Sequence, residues 1–353
     1  MEVLVSMALG LLVIGAGVTL FKTATNVTQT ALSRSDMQQN ARGALAIITR
    51  DLTQASIGIP QAGIALPTGG AGNALAACGP TQCYLTNGVY PNNLLAPVVP
   101  FDAQGANNTD AITIAYIDNT WPVTNKPVST ISPNGTSITV DTNTYDSSGN
   151  AAPAPNGKTY NDPVFGSRVG DVLMIFNTNG YAVATVTAVG ANGQLTLAQG
   201  DPLNVNQPGA VAGNVRSLGY AACPAPNQAQ LCPSTSAARL NVVTYFTQIN
   251  PGPDGIVGTG DDYPQLMRQL NAQRAIPLTD YVAAMTVSYD IFNSNTNQYQ
   301  AGIDGVQVPN SAEIRKINIS LTLQSSGTGA ARNETYTVST AVAPRDLSFQ
   351  NRY

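Results

Sequence analysis

The first part of the chain is a long run of uncharged, mostly apolar residues. Glu2 precedes this run, which extends from Val3 to Phe21, and Lys22 follows it. As an α-helix, these nineteen residues would be about 28 Å long, close to the roughly 30 Å hydrocarbon core of a bilayer. The run therefore predicts a helix that is apolar on every side and long enough to cross a membrane.

The chain becomes polar after this run but keeps a helical pattern, without proline, as far as residue 56. One apolar stripe recurs at helical spacings: Ala41, Leu45, Ile48 and Leu52. The charged residues lie largely off that stripe: Arg34, Asp36, Arg42, Arg50 and Asp51. Gly58 and Pro60 end the pattern. Residues 1–57 therefore predict one helix of about 80 Å, whose second half packs on its own chain. Its first half must lie in lipid or among identical helices.

The rest of the chain carries the pattern of a β-rich protein. After a Gly-, Ala- and Pro-rich segment that reaches about residue 110, alternating or β-branched runs predict strands. They lie at 111–117, 137–141, 171–177, 181–189, 194–198, 239–248, 265–270, 283–292 and 314–324, with a last strand from Thr335. "NGY" and "ANGQ" mark tight turns between the strands of 171–198, which predicts a meander there.

These patterns together predict the α+β fold class, with a long N-terminal α-helix packed on a large head of antiparallel sheets. We expect three parts: residues 1–57 as the helix, 58–235 as a β-rich head with long loops, and 236–353 as the C-terminal sheet of that head.

Composition narrows the function classes. Charged residues make up 10% of the chain, the net charge is −4 and there is no histidine. Nucleic-acid binding needs clustered Lys and Arg, so no nucleic-acid partner is expected. Without histidine, Ser-His-Asp and Cys-His sites and His-based zinc or haem sites cannot form. No other catalytic motif replaces them, and we expect the protein not to be an enzyme.

Four cysteines fall into two close pairs, Cys78 with Cys83 and Cys223 with Cys232. Neither pair has the CxxC spacing, and no basic residue flanks either pair to activate a thiolate. In a chain with an N-terminal membrane segment we interpret them as two local disulfides. Four free thiols in a reducing compartment are the alternative.

The segment "NPGPDGIVGTGDDY" is the one cluster that offers ligand chemistry. Asp254, Asp261 and Asp262 supply hard carboxylate oxygens on a Gly-rich loop, which suits calcium. The spacing does not fit an EF-hand, and a solvated turn between two strands has the same composition. The sequence therefore leaves a calcium site and a plain turn as alternatives.

The N-terminal stretch "MEVLVSMALGLLVIGAGVTLF" resembles that of type IV pilin-like proteins, in which an acid precedes a Gly-containing apolar helix that continues into an amphipathic one. The order of later segments is similar to the PilW-like branch and to the J-type minor pseudopilin of type II secretion. These segments are "MQQNARGALAIITRDLTQASIG", "GDVLMIFNTNGYAVATVTAV", "LTDYVAAMTVSYDI", "IRKINISLTLQS" and "YTVSTAVAPRDLSFQNRY".

The resemblance implies a structural subunit of an extracellular type IV pilus-like filament on the bacterial cell surface. Such subunits polymerise with themselves and with other pilins through the N-terminal helix. Before assembly they cross the inner membrane once, a prepilin peptidase removes a leader peptide, the new N-terminus is methylated, and inner-membrane machinery extrudes the subunit. Only Met1 precedes Glu2 here, so we expect leading residues to be missing from this sequence, and a misplaced start at Met1 is the alternative.

The resemblance also leaves two alternatives. One is a minor tip pilin or adhesin, whose loops at 60–110 and 200–237 would bind a surface. The other is a type II secretion pseudopilin that primes assembly.

In the family, the leading acid, here Glu2, pairs with the N-terminal amine of a neighbouring subunit. A carboxylate in an apolar bundle costs several kcal/mol unless a cation meets it, so it favours one axial register. The alternative role for Glu2 is that of an interfacial acid favoured by the helix dipole.

Gly10, Gly15 and Gly17 either permit close helix contacts or let the helix unwind locally, since each weakens a helix by about 1 kcal/mol. In filaments of the family a melted stretch is common at this point. We therefore expect a break or an extended segment between Gly10 and Thr19.

Overall fold

One α-helix, α1, extends without interruption from Glu2 to Gln54. It belongs to a computed structural model of the chain, which describes residues 2–67, 78–79, 82–83, 94–118, 126–142, 144–145, 151–152, 162, 166–222, 231–271, 273–308, 310–325 and 334–348. A short second helix, α2 (Arg345–Ser348), follows the last strand. The rest of the described chain is strands, turns and single 3₁₀ turns, which confirms the predicted α+β class.

The second half of α1 packs on the body through the predicted stripe. Its buried apolar residues are Met37, Ala41, Ala44, Leu45, Ile48 and Leu52. The chain turns away after the helix, where the amide of Ser56 donates to the carbonyl of Ala115 over 2.9 Å. Gly58 has a positive φ of 72°, and a Cβ there would lie 2.7 Å from Ile117. Glycine is therefore required at the end of the helix for both conformation and space.

The strands in chain order are β1 (Ile64–Ala65), β2 (Cys78–Gly79), β3 (Gln82–Cys83), β4 (Leu94–Leu95), β5 (Val98–Phe101), β6 (Ala111–Ile117), β7 (Lys126–Ile131), β8 (Ser137–Val140), β9 (Thr144–Tyr145), β10 (Ala151–Ala152), β11 (Val172–Asn177) and β12 (Gly180–Thr185). They continue with β13 (Ala188–Val189), β14 (Gln194–Thr196), β15 (Ala221–Ala222), β16 (Leu231–Cys232), β17 (Ser236–Asn250), β18 (Tyr263–Leu270), β19 (Ile276–Asp280), β20 (Val282–Asn293), β21 (Gln298–Asp304), β22 (Ile314–Gln324) and β23 (Thr335–Val342).

Two antiparallel sheets contain most of these strands, and four two-stranded pairs, β1-β4, β2-β3, β9-β10 and β15-β16, hold the rest. The larger has 11 strands, with a main path β12-β11-β17-β7-β8-β14-β13, and β5, β6, β18 and β19 join it around the long strand β17. The smaller has the order β21-β20-β22-β23. The larger sheet includes strands from both sides of the predicted boundary between residues 235 and 236, because β17 pairs with β6, β7 and β11 as well as with β18.

The predicted strands are present, and the predicted meander includes the hairpin of β11 and β12. Four longer strands were not predicted: β5, β7, β19 and β21. Three of them contain a proline, Pro100, Pro127 or Pro277, which weakens a strand pattern in sequence. The fourth, β21, is an edge strand with mostly exposed residues and so lacks an apolar alternation.

The docked half of α1 covers the core between the two sheets. One hydrophobic cluster joins its stripe to residues of β5, β6, β17 and β18 in the larger sheet and of β20 and β22 in the smaller one. A second cluster lies under the loop that follows α1, and a third lies among β8, β11, β12 and β14. The helix is thus anchored at its C-terminal half, and its N-terminal half extends beyond the body.

Candidate functional site: the two halves of the N-terminal helix

The part of α1 from Glu2 to Leu32, called here the exposed half, makes no buried contact with the described body. The large apolar side chains between Val3 and Phe21 are 57–76% exposed. A continuous apolar surface of this kind is far larger than soluble monomers leave in water, so it marks an interaction site. α1 contains a stretch long and apolar enough to cross a membrane, and none of that stretch is buried in the described structure.

Charge enters the exposed half only at Glu2 and Lys22. Both side chains are exposed, and neither has an ion-pair partner among the described residues. The two charges therefore lie at the two ends of the apolar run.

The glycines of the exposed half do not interrupt the helix. The expected break between Gly10 and Thr19 is absent from the single chain, since α1 is continuous from Glu2 to Gln54. A Cβ at Gly10, Gly15 or Gly17 would have nothing within 4 Å, so no contact within the chain requires a glycine there. The prediction of a break is corrected for the isolated chain, and a role in close packing or unwinding between copies stays a prediction.

The docked half carries a buried polar cluster that fixes the helix on the larger sheet. The Asp51 side chain is only 1% exposed, and its Oδ2 accepts from the Tyr245 hydroxyl over 2.6 Å and from the Arg268 Nε over 2.8 Å. Asp51 therefore joins α1 to β17 and β18 by a charge-assisted pair inside the core. The exposed Arg50 reaches its other carboxylate oxygen at 3.3 Å.

The electrostatics of this cluster follow from burial. Burial alone would lower the pKa of Arg268, but the neighbouring Asp51 and Tyr245 raise it overall, so the guanidinium stays charged. Burial first, and then the negative charge of Asp51, raise the pKa of Tyr116 to about 12. The same two causes raise the pKa of Tyr245, which keeps its hydroxyl protonated and available as a donor.

Sequence reasoning placed Asp51 among the charged residues off the apolar stripe, and that interpretation is wrong. Asp51 follows Ile48 by three residues and Ala44 by seven, so it lies at the edge of the stripe and turns inward. This helical spacing is the sequence feature from which the burial of Asp51 could have been predicted. The partners Tyr245 and Arg268 lie about two hundred residues further along, and no local pattern identifies them.

The two halves meet at a second ion pair on the surface. The Arg34 guanidinium donates to both carboxylate oxygens of Glu334, with its NH2 group 2.9 Å from each and its Nε 3.1 Å from Oε2. The hydrogen bond from Arg34 lowers the pKa of Glu334, and the same bond raises the pKa of Arg34. This pair ties the helix to the start of β23 just before α1 leaves the body.

The predicted calcium loop is a hydrogen-bonded turn between β17 and β18. The carboxylate of Asp254 accepts from the amide of Ile256 over 2.8 Å, that of Asp261 accepts from the Thr259 hydroxyl over 2.7 Å, and that of Asp262 accepts from the amide of Gly258 over 2.5 Å. Among the described residues, these acids do not form a group that could hold a metal ion. Each carboxylate accepts a hydrogen bond inside the turn, which favours the plain-turn alternative, and the calcium site stays a prediction.

The cysteines are placed by their strands only. In the pair of β2 and β3, Cys78 lies directly opposite Cys83, and opposite residues in an antiparallel pair are close enough for a disulfide. Cys232 lies in β16, opposite Ala221 of β15. Cys223 falls outside the described residues, as do 223–230 and most of 68–93, which are parts of the loops at 60–110 and 200–237 expected to bind a surface. Both pairings stay predictions.

A cavity of about 330 Å³ between the two sheets has Asp102, Asp110 and Asp304 in its lining. Burial and the neighbouring Asp304 raise the pKa of Asp102. Asp110 serves the fold, because its carboxylate accepts from the amides of Ala103 and Val287 at 3.1 and 2.7 Å. One of the three acids that line the cavity is therefore committed to joining the sheets.

Comparison with protein-family models, with curated proteins and with solved structures finds no match to this chain. The exposed half of α1 therefore remains the feature on which a function can be argued.

Proposed function

We propose that the protein is a structural subunit of an extracellular type IV pilus-like filament, which polymerises through the exposed half of α1. One observation carries the proposal: a single helix has an apolar half that no described part of the chain covers and a half firmly docked on a large β head. The sequence resemblance to pilin-like proteins supports it. The subunit would cross the inner membrane once before assembly and act without enzymatic chemistry.

The energetics favour a covered state of the exposed half. Burial of apolar surface is worth about 25 cal/mol per Å², so a helix carrying a dozen exposed large apolar side chains gains strongly from lipid or from identical helices. The docked half supplies a rigid connection, so that helices in a bundle would hold the β heads on the outside. This arrangement suits a polymer better than it suits a lone membrane anchor, for which a docked extension is not needed.

The test starts from the full chain, purified in detergent and then diluted below the micelle concentration. We expect fibres in electron micrographs and protein in the pellet after ultracentrifugation. Val13→Asp places a charge in the exposed half, where Val13 is 70% exposed, and should abolish pelleting. Val211→Asp, at a position of the body that is 92% exposed, is the matched control and should leave fibres intact.

The outcomes separate the candidate functions. Soluble monomers of the unaltered chain in the absence of detergent would contradict the proposal. Short assemblies that extend only when another pilin is added would instead indicate the minor tip subunit or the assembly-priming pseudopilin.

A further inference from the structure

The exposed half of α1 holds one acid and one base in an otherwise uncharged segment. From Glu2 to Ser33 the charged residues are Glu2 and Lys22 alone. The next cation, Arg34, is already engaged with Glu334. If the helices bundle as proposed above, on which the present inference rests, both charges enter apolar surroundings, where an unpaired charge is costly. Each then needs an opposite charge from a neighbouring copy.

The axial distance between the two charges is fixed by the continuous helix. Twenty residues separate Glu2 from Lys22, which corresponds to about 30 Å at 1.5 Å per residue. Two parallel copies of α1 displaced by this distance place Glu2 of one beside Lys22 of the other. Copies in the same axial register would place like charges together at both ends.

The direction of the two side chains agrees with that displacement. Twenty residues make about 5.6 helical turns, so Glu2 and Lys22 point about 200° apart, on nearly opposite faces. When two parallel helices are related by a shift without rotation, the side of one helix that faces its neighbour contacts the other side of that neighbour. Two residues on opposite sides of the same helix can therefore meet between copies. Arg34 fails this criterion, because it lies about 8.9 turns from Glu2 and so points from nearly the same face.

We propose that α1 packs against α1 of a second copy displaced by about 30 Å along the helix axis, with Glu2 of one copy paired to Lys22 of the next. Each copy then offers Glu2 to one neighbour and Lys22 to another on the opposite side. Such a contact uses two different surfaces and does not close on itself, so it generates an open filament rather than a dimer.

The body leaves the first part of this contact free. From Lys22 to Asn40, no described residue within about 40° of Lys22 around the helix axis is buried. Further along, Ala44 and Asp51 lie on the same side and are buried on the body. A neighbouring helix can therefore lie against α1 beside Lys22 and the turns that follow it, before the β head covers this side.

A charge exchange tests the pairing with the full chain, assembled by dilution from detergent. Glu2→Lys and Lys22→Glu each place like charges together, and each should reduce the pelleted fraction by about tenfold or more. The double variant carrying both substitutions restores opposite charges and should pellet within about twofold of the unaltered chain. A further double variant, Lys22→Thr with Thr23→Lys, keeps the cation but turns it by about 100° around the helix, and it should assemble as poorly as the single charge variants.

Cross-linking tests the displacement independently of charge. Ser6 and Asn26 each follow one of the two charges by one helical turn, so they face each other in the proposed packing. A chain with Ser6→Cys and Asn26→Cys should form a ladder of covalent oligomers with a short bis-maleimide. Ser6 and Ala16 are ten residues apart and would face each other only at half that displacement. A chain with Ser6→Cys and Ala16→Cys should therefore form no more cross-linked oligomers than the unaltered chain.

The results separate the pairing from the proposed function. If the unaltered chain never assembles, the proposed function fails. If it assembles, but Lys22→Glu assembles equally well or the double exchange stays inactive, the Glu2–Lys22 pairing is overturned while the filament stands. In that case Glu2 has another counter-charge, such as a neighbour's N-terminal amine.

Discussion

The two halves of α1 have the same backbone and opposite relations to the rest of the chain. Ile14, in the exposed half, is 64% exposed, whereas Ile48, in the docked half, is fully buried. In the exposed half the two charges, Glu2 and Lys22, lie at the ends of the apolar run and have no ion-pair partner in the described chain, whereas the docked half has a buried charge, Asp51, with two strong partners. The docked half is thus stabilised by contacts within the molecule, whereas the exposed half can be covered only by contacts with another molecule.

This difference shows where specificity resides in each half. In the docked half, shape and a buried ion pair select one position of the helix on the sheets. Apolar surface between Val3 and Phe21 is nearly uniform around and along the helix, so it attracts identical helices without fixing their register. Two isolated charges are the available means of fixing it.

Removing the buried carboxylate should have the largest effect on the docked half. Asp51→Ala leaves the Arg268 guanidinium buried without its partner, and we expect the free energy of unfolding to fall by about 3–5 kcal/mol. Denaturant unfolding of the chain in a detergent that keeps it monomeric measures this change. Asp36→Ala, at an exposed position of the same helix, is the matched control and should change it by less than about 0.5 kcal/mol. Equal values for the two variants would show that the ion pair does not hold the helix.

The same substitution in each half compares them directly. Ile48→Ala opens a cavity in the core and should lower the free energy of unfolding by about 3 kcal/mol. Ile14→Ala removes only exposed atoms, and should leave the unfolding of the monomer unchanged within about 0.5 kcal/mol. Assembly should respond in the opposite order, because Ile14 becomes buried only between copies. A loss of monomer stability in Ile14→Ala would mean that the exposed half is already covered in the single chain.

Sequence patterns predicted the helix, its buried stripe and most of the long strands, because each depends on local periodicity. They failed where the determinants are distant in sequence. Asp51 was grouped with the charged residues largely off the stripe, because its partners Tyr245 and Arg268 belong to strands that no local pattern connects to the helix. The choice between a calcium site and a plain turn at Asp254, Asp261 and Asp262 also exceeds the sequence. Composition supplies the three carboxylates, and only the loop geometry shows that each accepts a hydrogen bond within the turn. In the exposed half the pattern predicted the apolar helix but not its continuity, since the break expected between Gly10 and Thr19 is absent from the described helix.

The smallest effect is expected at the border between the halves, where Arg34 pairs with Glu334. Both side chains lie at the surface, so Arg34→Gln should leave global unfolding almost unchanged. It should instead loosen the turn of α1 next to the body, which hydrogen exchange of the amides at 30–36 would record as faster exchange.

Acid should loosen the same turn in the unaltered chain. Because Arg34 lowers the pKa of Glu334, the tie is complete above the ordinary glutamate pKa of about 4.3 and is lost as the pH falls through the lowered value. Protection that is lost on acidification in the unaltered chain but is already absent from Arg34→Gln at neutral pH would place the border at this pair. If the amides at 30–36 are equally protected from exchange in both chains, the docked part of the helix begins instead at Met37, its first buried residue.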